Sequence, residues 1–132
     1  MQLFINQGLE MRILFAVLPT VLLVAYSQII VKWRVGIIAT TIDVQRSGLT
    51  RYIAYLLDPF VISAYVAGLL GSFVWLFTVS KLPLALAFPV YQGLTFLLVV
   101  MASAMMFNEP MTSSKLIGVA MILGGVIVGT RG

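Results

Sequence analysis

Cysteine and histidine are both absent from the 132-residue sequence. That removes the usual ligands of zinc, haem and iron–sulfur centres, the thiol nucleophile, and the one side chain that exchanges protons near neutral pH. With no cysteine, no disulfide can form, so the chain carries no record of its redox compartment. Charge is also scarce: 9% of the residues are charged, eight basic and four acidic, where a water-soluble domain carries roughly a quarter. So few charges cannot cover a water-facing surface, and cytosolic enzyme folds are excluded. What fills the sequence instead is apolar, at 61% of residues with a mean hydropathy of +1.12. The composition reads as an all-α integral membrane protein. The net charge of +4 does not point to nucleic acid, because the basic residues stand at the ends of apolar runs, where they anchor a chain to lipid headgroups.

A helix needs about 20 residues to cross a ~30 Å hydrocarbon layer, and four stretches escape charge for long enough. Ile13 to Val31 is bounded by Arg12 and by Lys32 and Arg34. Its first part, Ile13 to Val24 followed by Ala25-Tyr26-Ser27, also has the shape of a secretory signal. However, apolar residues resume at Ile29, Ile30 and Val31 and are then halted by two cations, which is how a span ends. Pro59 to Ser80 lies between Asp58 and Lys81, with proline at the first turn, where its missing N–H does no harm. Leu82 to Phe107 exceeds the bilayer, and Pro83 and Pro89 predict an irregular start or a kink that absorbs the excess. Leu116 to Thr130 is short for a span, so Lys115 must snorkel or the helix must begin nearer Met111. The expectation is one four-helix membrane domain over residues 1–132, with spans at about 13–31, 59–80, 84–107 and 112–130.

Between the first two spans, residues 32–58 carry Lys32, Arg34, Asp43, Arg46, Arg51 and Asp58. So short a stretch cannot bury a core, but Gly36-Ile37-Ile38 and Tyr52 to Leu57 are apolar enough for a helix in the headgroup layer. Trp33, Tyr52 and Tyr55 fit an aromatic belt. Four spans put both termini on one face, which holds Arg12, Lys81 and Arg131, against Lys32, Arg34, Arg46, Arg51 and Lys115 on the other. That bias mildly favours termini outside and also allows insertion both ways round.

Small residues predict where helices touch. Ala64, Gly68 and Ser72 recur every four residues in the second span, and Gly118, Gly125 and Gly129 share a face of the fourth. Four short helices enclose little volume, so a substrate cavity calls for a dimer with a second copy or with a related small subunit. No Asp, Glu, Lys or Arg lies between Ile13 and Val31, Pro59 and Ser80, Leu82 and Phe107, or Leu116 and Thr130. An exporter that alternates a proton and a cationic drug at a membrane carboxylate lacks that group here. The polar inventory is Thr20, Ser27 and Gln28 in the first span, Ser63 and Ser72 in the second, and Gln92, Thr95 and Ser103 in the third, with the hydroxyls of Tyr26, Tyr65 and Tyr91. Thr20, Ser27 and Gln28 share a face directed toward Lys32, and Gln92 neighbours Thr95. They can line a groove or serve as ordinary interhelical hydrogen bonds. No paired carboxylates and no nucleophile with an identifiable base are present, so enzyme activity is not expected.

The run Leu82 to Tyr91, the Asn108-Glu109-Pro110 turn and the glycine-rich helix from Gly118 to Gly129 resemble the drug/metabolite transporter superfamily, specifically its four-helix members. Ser27-Gln28 followed by Lys32 is similar to the small subunits of the aminoarabinose-phosphoundecaprenol flippase. The resemblance covers nearly the whole chain except the 32–58 connection. It departs from the small multidrug resistance branch at Val24, eight residues before Lys32, where that branch carries its essential glutamate.

The resemblance implies a bacterial inner-membrane flippase or transporter for a polyprenyl-phosphate-linked sugar, used in building the cell envelope, without metal or cofactor. A greasy carrier needs only a lateral groove, a cation for its phosphate and polar groups for its sugar. Lys32 is the first candidate for the phosphate, followed by Arg34 and Lys81, each of which could equally be a snorkelling anchor. Gln28, Tyr91 and Gln92 would face the sugar. Glu109 reads as a structural residue of its turn, with coupling to an amino-sugar or a proton as its other use. The alternatives are a small multidrug-resistance-type exporter of cationic compounds, or an accessory subunit of a heterodimeric transporter.

Overall fold

The computed structural model describes residues 2–41 and 48–131; Asp43 and Arg46 of the polar connection lie outside them. The described residues form five helices: α1 (Gln2–Thr41), α2 (Leu49–Leu57), α3 (Pro59–Lys81), α4 (Leu84–Met106) and α5 (Ser113–Arg131). Four of these, α1 over Met11–Thr40 and the whole of α3, α4 and α5, are long and apolar enough to cross a membrane. The short α2 falls between the first and second spans, where the sequence predicts an interfacial helix.

The chain runs up and down. One end of the bundle gathers Lys32, Arg34, Asp58 and Glu109, and the other gathers the start of α1 with the end of α3, where the Thr78 hydroxyl donates to the Ala16 carbonyl at 3.2 Å. Large side chains face outward along every span, among them Phe15, Leu69, Phe77, Met105 and Val128. This inverts the soluble rule and suits a lipid solvent.

The packed interior is built on α1. Ile13, Val17, Val21 and Ala25 are buried at helical spacing. Ile13, Val17 and Val21 join Ala87 of α4, with Trp75, Leu86, Tyr91 and Leu94 closing around them. α1 touches both α3 and α4, whereas among the described residues α5 meets only α4. The contact face of α3 follows Val61, Ala64, Ala67, Gly71 and Thr78, with Gly68 beside Ser27. Of the small stripe predicted there, Ala64 and Gly68 lie on this seam. Ser72 has rotated off it: it is exposed and returns its hydroxyl to the Gly68 carbonyl. A strict four-residue repeat drifts around a helix of 3.6 residues per turn, so the true seam alternates steps of three and four.

The helix boundaries follow from caps. Asp58 accepts from the N–H groups of Phe60 and Val61, with Pro59 at the first helical position, so α3 begins where its orphan donors find a carboxylate. α5 starts at Ser113 because Thr112 caps it, its hydroxyl accepting from the Lys115 N–H. With three residues added at its start and Arg131 at its end, the fourth span is 19 residues, or roughly 28 Å. Gly48, which precedes α2, sits at φ +71°, a conformation that favours glycine.

α1 departs from the expected 13–31 span. It continues as helix through Lys32 and Arg34 to Thr41, because a cation past the hydrocarbon edge ends a span without ending a helix. Pro19, which is exposed, removes one backbone donor within it and does not interrupt it. Pro89 likewise lies within α4.

Candidate functional site

The functional candidates fall into two groups at opposite ends of a bundle whose helices are about 30 Å long. Lys32 and Arg34 stand at one end with Glu109. Lys81, in the last turn of α3, stands at the other. Tyr91 belongs to an aromatic group with Trp75 and Phe88 at 4.9 and 6.2 Å, in the first half of α4 and hence nearer Lys81. Gln92 and Gln28 are both exposed. No single headgroup can touch Lys32 and Lys81 at once.

The two cations on α1 have different surroundings. The Arg34 guanidinium donates through Nε and Nη2 to both oxygens of Asp58, at 3.0 and 2.6 Å, and lies 5.4 Å from the Trp33 ring and 4.7 Å from the Phe60 ring. Asp58 thereby caps α3 and clamps it to α1 with one carboxylate. The hydrogen bond from Arg34, with the backbone donors of Val61 and Phe60, holds the Asp58 carboxyl below the usual carboxylate range against the opposing effect of desolvation. With both oxygens of Asp58 on its fork, Arg34 already has the bidentate anion partner its geometry favours.

Lys32 faces the other way, toward the α4–α5 turn. Its Nζ lies 3.6 Å from Glu109 Oε1, with the two side chains 63% and 40% exposed. The other carboxylate oxygen, Oε2, accepts from the Ser103 hydroxyl at 2.6 Å. Hydrogen bonding from Ser103, followed by the attraction of Lys32 and of Lys115, holds the Glu109 carboxyl below its ordinary range. Asn108 makes this possible. At φ +50° it takes the left-handed conformation that asparagine tolerates, and it turns the chain so that Glu109 comes back over the end of α4. There the Glu109 N–H reaches the Ser103 carbonyl. Lys115 bends toward the same rim, its ammonium donating to the Pro110 carbonyl at 3.0 Å. Glu109 therefore joins α1, α4 and the head of α5.

Beneath this rim a crevice of about 380 Å³ opens between α4 and α5. Phe96, Val100, Val119 and Ile122 form its apolar walls, and Ser103, Glu109 and Lys115 form its ionic mouth. Gly118 lines it, with open space where a Cβ would stand. Gly125 and Gly129, its companions in the sequence pattern, also face open space, with no neighbour within 4 Å among the described residues. The contact between α4 and α5 is made elsewhere, at Gly93, where a Cβ would come within 3.3 Å of Val126.

The polar face predicted on α1 does not form one groove. Thr20 is buried with its hydroxyl unpartnered, Ser27 lies against Gly68, and Gln28 points outward. Tyr26 pairs with Ser63 at 3.0 Å. Because the Ser63 proton goes to the Phe60 carbonyl, Tyr26 is the donor. Sequence reasoning took Ser103 as one of several span hydroxyls and Lys115 as a snorkelling residue; their convergence on Glu109 depends on a turn geometry that spacing does not encode.

The comparisons with known proteins come to bear on this geometry. The probable 4-amino-4-deoxy-L-arabinose-phosphoundecaprenol flippase subunit ArnE of Serratia proteamaculans is 44% identical over 59 residues, covering 45% of this chain and 50% of that protein. A protein of the same description from Pseudomonas syringae pv. syringae is 36% identical over 56 residues, 42% of this chain and 51% of its own length. The chain thus spans about half the length of these flippase subunits. The protein y4nH of Sinorhizobium fredii is 36% identical over 83 residues, 60% of this chain and 71% of that protein. No family profile matches the sequence, and no solved structure matches it.

Proposed function

The chain belongs to the family of the Sinorhizobium fredii protein y4nH, and from that premise and its likeness to flippase subunits we propose that it is a subunit of an inner-membrane flippase for a polyprenyl-phosphate-linked sugar. One observation carries the reading: an apolar crevice between two membrane helices that ends in a rim of two lysines, a serine and a glutamate. A polyprenyl chain can enter such a crevice from the side while its phosphate stays at the hydrated mouth. Lys32 is the cation for that phosphate, with Lys115 beside it in the role that Arg34, held by Asp58, does not take. Gln28, exposed one turn before Lys32, is the residue this reading assigns to the sugar. A carrier that crosses must leave one cationic rim and arrive at another, and Lys81 stands at the far rim with Tyr91 and Gln92 on the way.

The unfilled face of α5 supports assembly with a second copy or with a related small subunit, since Gly125 and Gly129 leave room for another helix to approach closely. Translocation of a lipid-linked sugar in reconstituted vesicles tests the reading. Lys32→Ala should abolish transport while the purified protein keeps its helical content. Transport at the unaltered rate by that variant would remove Lys32 from the site.

A further inference from the structure

Glu109 is half-buried and negatively charged, and it occupies the place where an anion would be held. Its two oxygens are shared between a hydroxyl on α4 and an ammonium on α1, and the ammonium of α5 lies close enough to stabilise the charge. A phosphate monoester or diester offers the same set of acceptors on the same scale: oxygens for one O–H donor and two cations. We propose that Glu109 is an internal stand-in for the phosphate of the amphiphile, a latch that the incoming headgroup displaces from Lys32 and Ser103. The proposal rests on the flippase reading, and it adds the means by which an empty site is kept closed and a loaded one opens.

Three features of the site favour exchange. First, the Lys32–Glu109 contact is long at 3.6 Å and well exposed, so it holds the helices weakly and can be broken by a competing anion. By contrast, the Arg34–Asp58 pair at the same end is short, bidentate and mostly covered, which keeps α1 on α3 when the other pair opens. Second, the latch lies at the mouth of the crevice, with Glu109 and Ser103 among its lining residues. Displacing the carboxylate therefore widens the place where the apolar chain would lie. Third, the carboxylate is mounted on the turn between α4 and α5. Releasing it from Lys32 frees the head of α5 from α1, and α1 and α5 share no other contact surface.

The test uses the full chain in phosphatidylcholine nanodiscs, with farnesyl phosphate, farnesol, inorganic phosphate and phosphatidate as probes and empty nanodiscs as the blank. Glu109→Gln keeps the acceptor for Ser103 and removes the competing charge, so it should bind farnesyl phosphate at least about fivefold more tightly than the native chain. Glu109→Asp keeps the charge on a shorter arm that cannot hold both Ser103 and Lys32, so its affinity should fall between those of the native chain and Glu109→Gln, and equal helical content of the three chains is the folding control. An independent readout uses the absence of cysteine. Spin labels at Gly36→Cys and Ser113→Cys report the separation of α1 and α5, which should lengthen when farnesyl phosphate is added and stay fixed with farnesol. Equal affinity of the native chain and Glu109→Gln for farnesyl phosphate, with no change in label separation, would overturn the latch and leave the flippase reading standing. Failure of every form to distinguish farnesyl phosphate from farnesol would overturn both. Binding of inorganic phosphate as tight as that of farnesyl phosphate would overturn the assignment to an amphiphile, and phosphatidate binding as tight would overturn its assignment to an isoprenoid carrier.

Discussion

Arg34 and Asp58 make one contact that does two tasks, and substitutions separate them. Arg34→Lys keeps the charge but loses the bidentate fork and the stacking on Phe60. It should therefore lower the thermal unfolding midpoint nearly as far as Arg34→Ala does. Asp58→Asn keeps a cap acceptor for α3 and loses the ion pair, so it should fall between these variants and Asp58→Ala, as read by circular dichroism in detergent. The pH dependence has a definite sign. Folding lowers the Asp58 carboxyl below its ordinary range, so its contribution is complete above that range and is lost as the pH falls through the lowered value. Unfolding midpoints of the native chain should drop in acid, and those of Asp58→Asn should change less. Thr20 offers the opposite case. Its hydroxyl is buried without a partner, while the Ala16 carbonyl one turn back accepts from Thr78. Thr20→Val keeps the shape and removes the unpaired group, and should raise stability by about 1 kcal/mol.

At the level of helices, much was legible in advance and the reasons are specific. Four uncharged runs announced four long apolar helices, and Asp58-Pro59 marked the start of α3, because a carboxylate followed by proline is a cap that needs no tertiary partner. The short helix after the first span followed from Tyr52 to Leu57. The end of α1 was not legible: Lys32 and Arg34 mark the edge of the hydrocarbon, whereas a helix ends only where its hydrogen bonds do. The glycines of α5 leave their neighbour open, since spacing shows that a face is narrow but not what lies against it. The pairing of Lys32 with Glu109 joins residues far apart in sequence through the left-handed Asn108, and no local pattern announces it. Gly93 tests a close approach of α4 to α5. Gly93→Val would drive its methyls into Val126 and should cost about 1–3 kcal/mol, with proteolytic cutting in the 107–112 turn rising accordingly.

On the scale of the molecule, burial is uneven. α1, α3 and α4 share the core, while α5 has no buried residue and leans on a single neighbour. A helix that leaves most of its surface uncovered, with two glycines facing open space, is the natural place for a partner. Gly125→Leu should leave the chain folded, since nothing within it lies near that position, yet it should weaken any oligomer seen by cross-linking or native mass spectrometry. Unchanged oligomers in that variant would move the interface elsewhere.

The same unevenness bears on biogenesis. Helices leave the ribosome in chain order, and here that order is also the order of commitment: α1 is the scaffold, α3 locks onto it through Arg34 and Asp58, and α4 closes the interior with Ala87. None of these contacts involves α5, so a chain cut short before Ser113 and released should already resist extraction and protease. The final segment is left to choose its companion in the lipid.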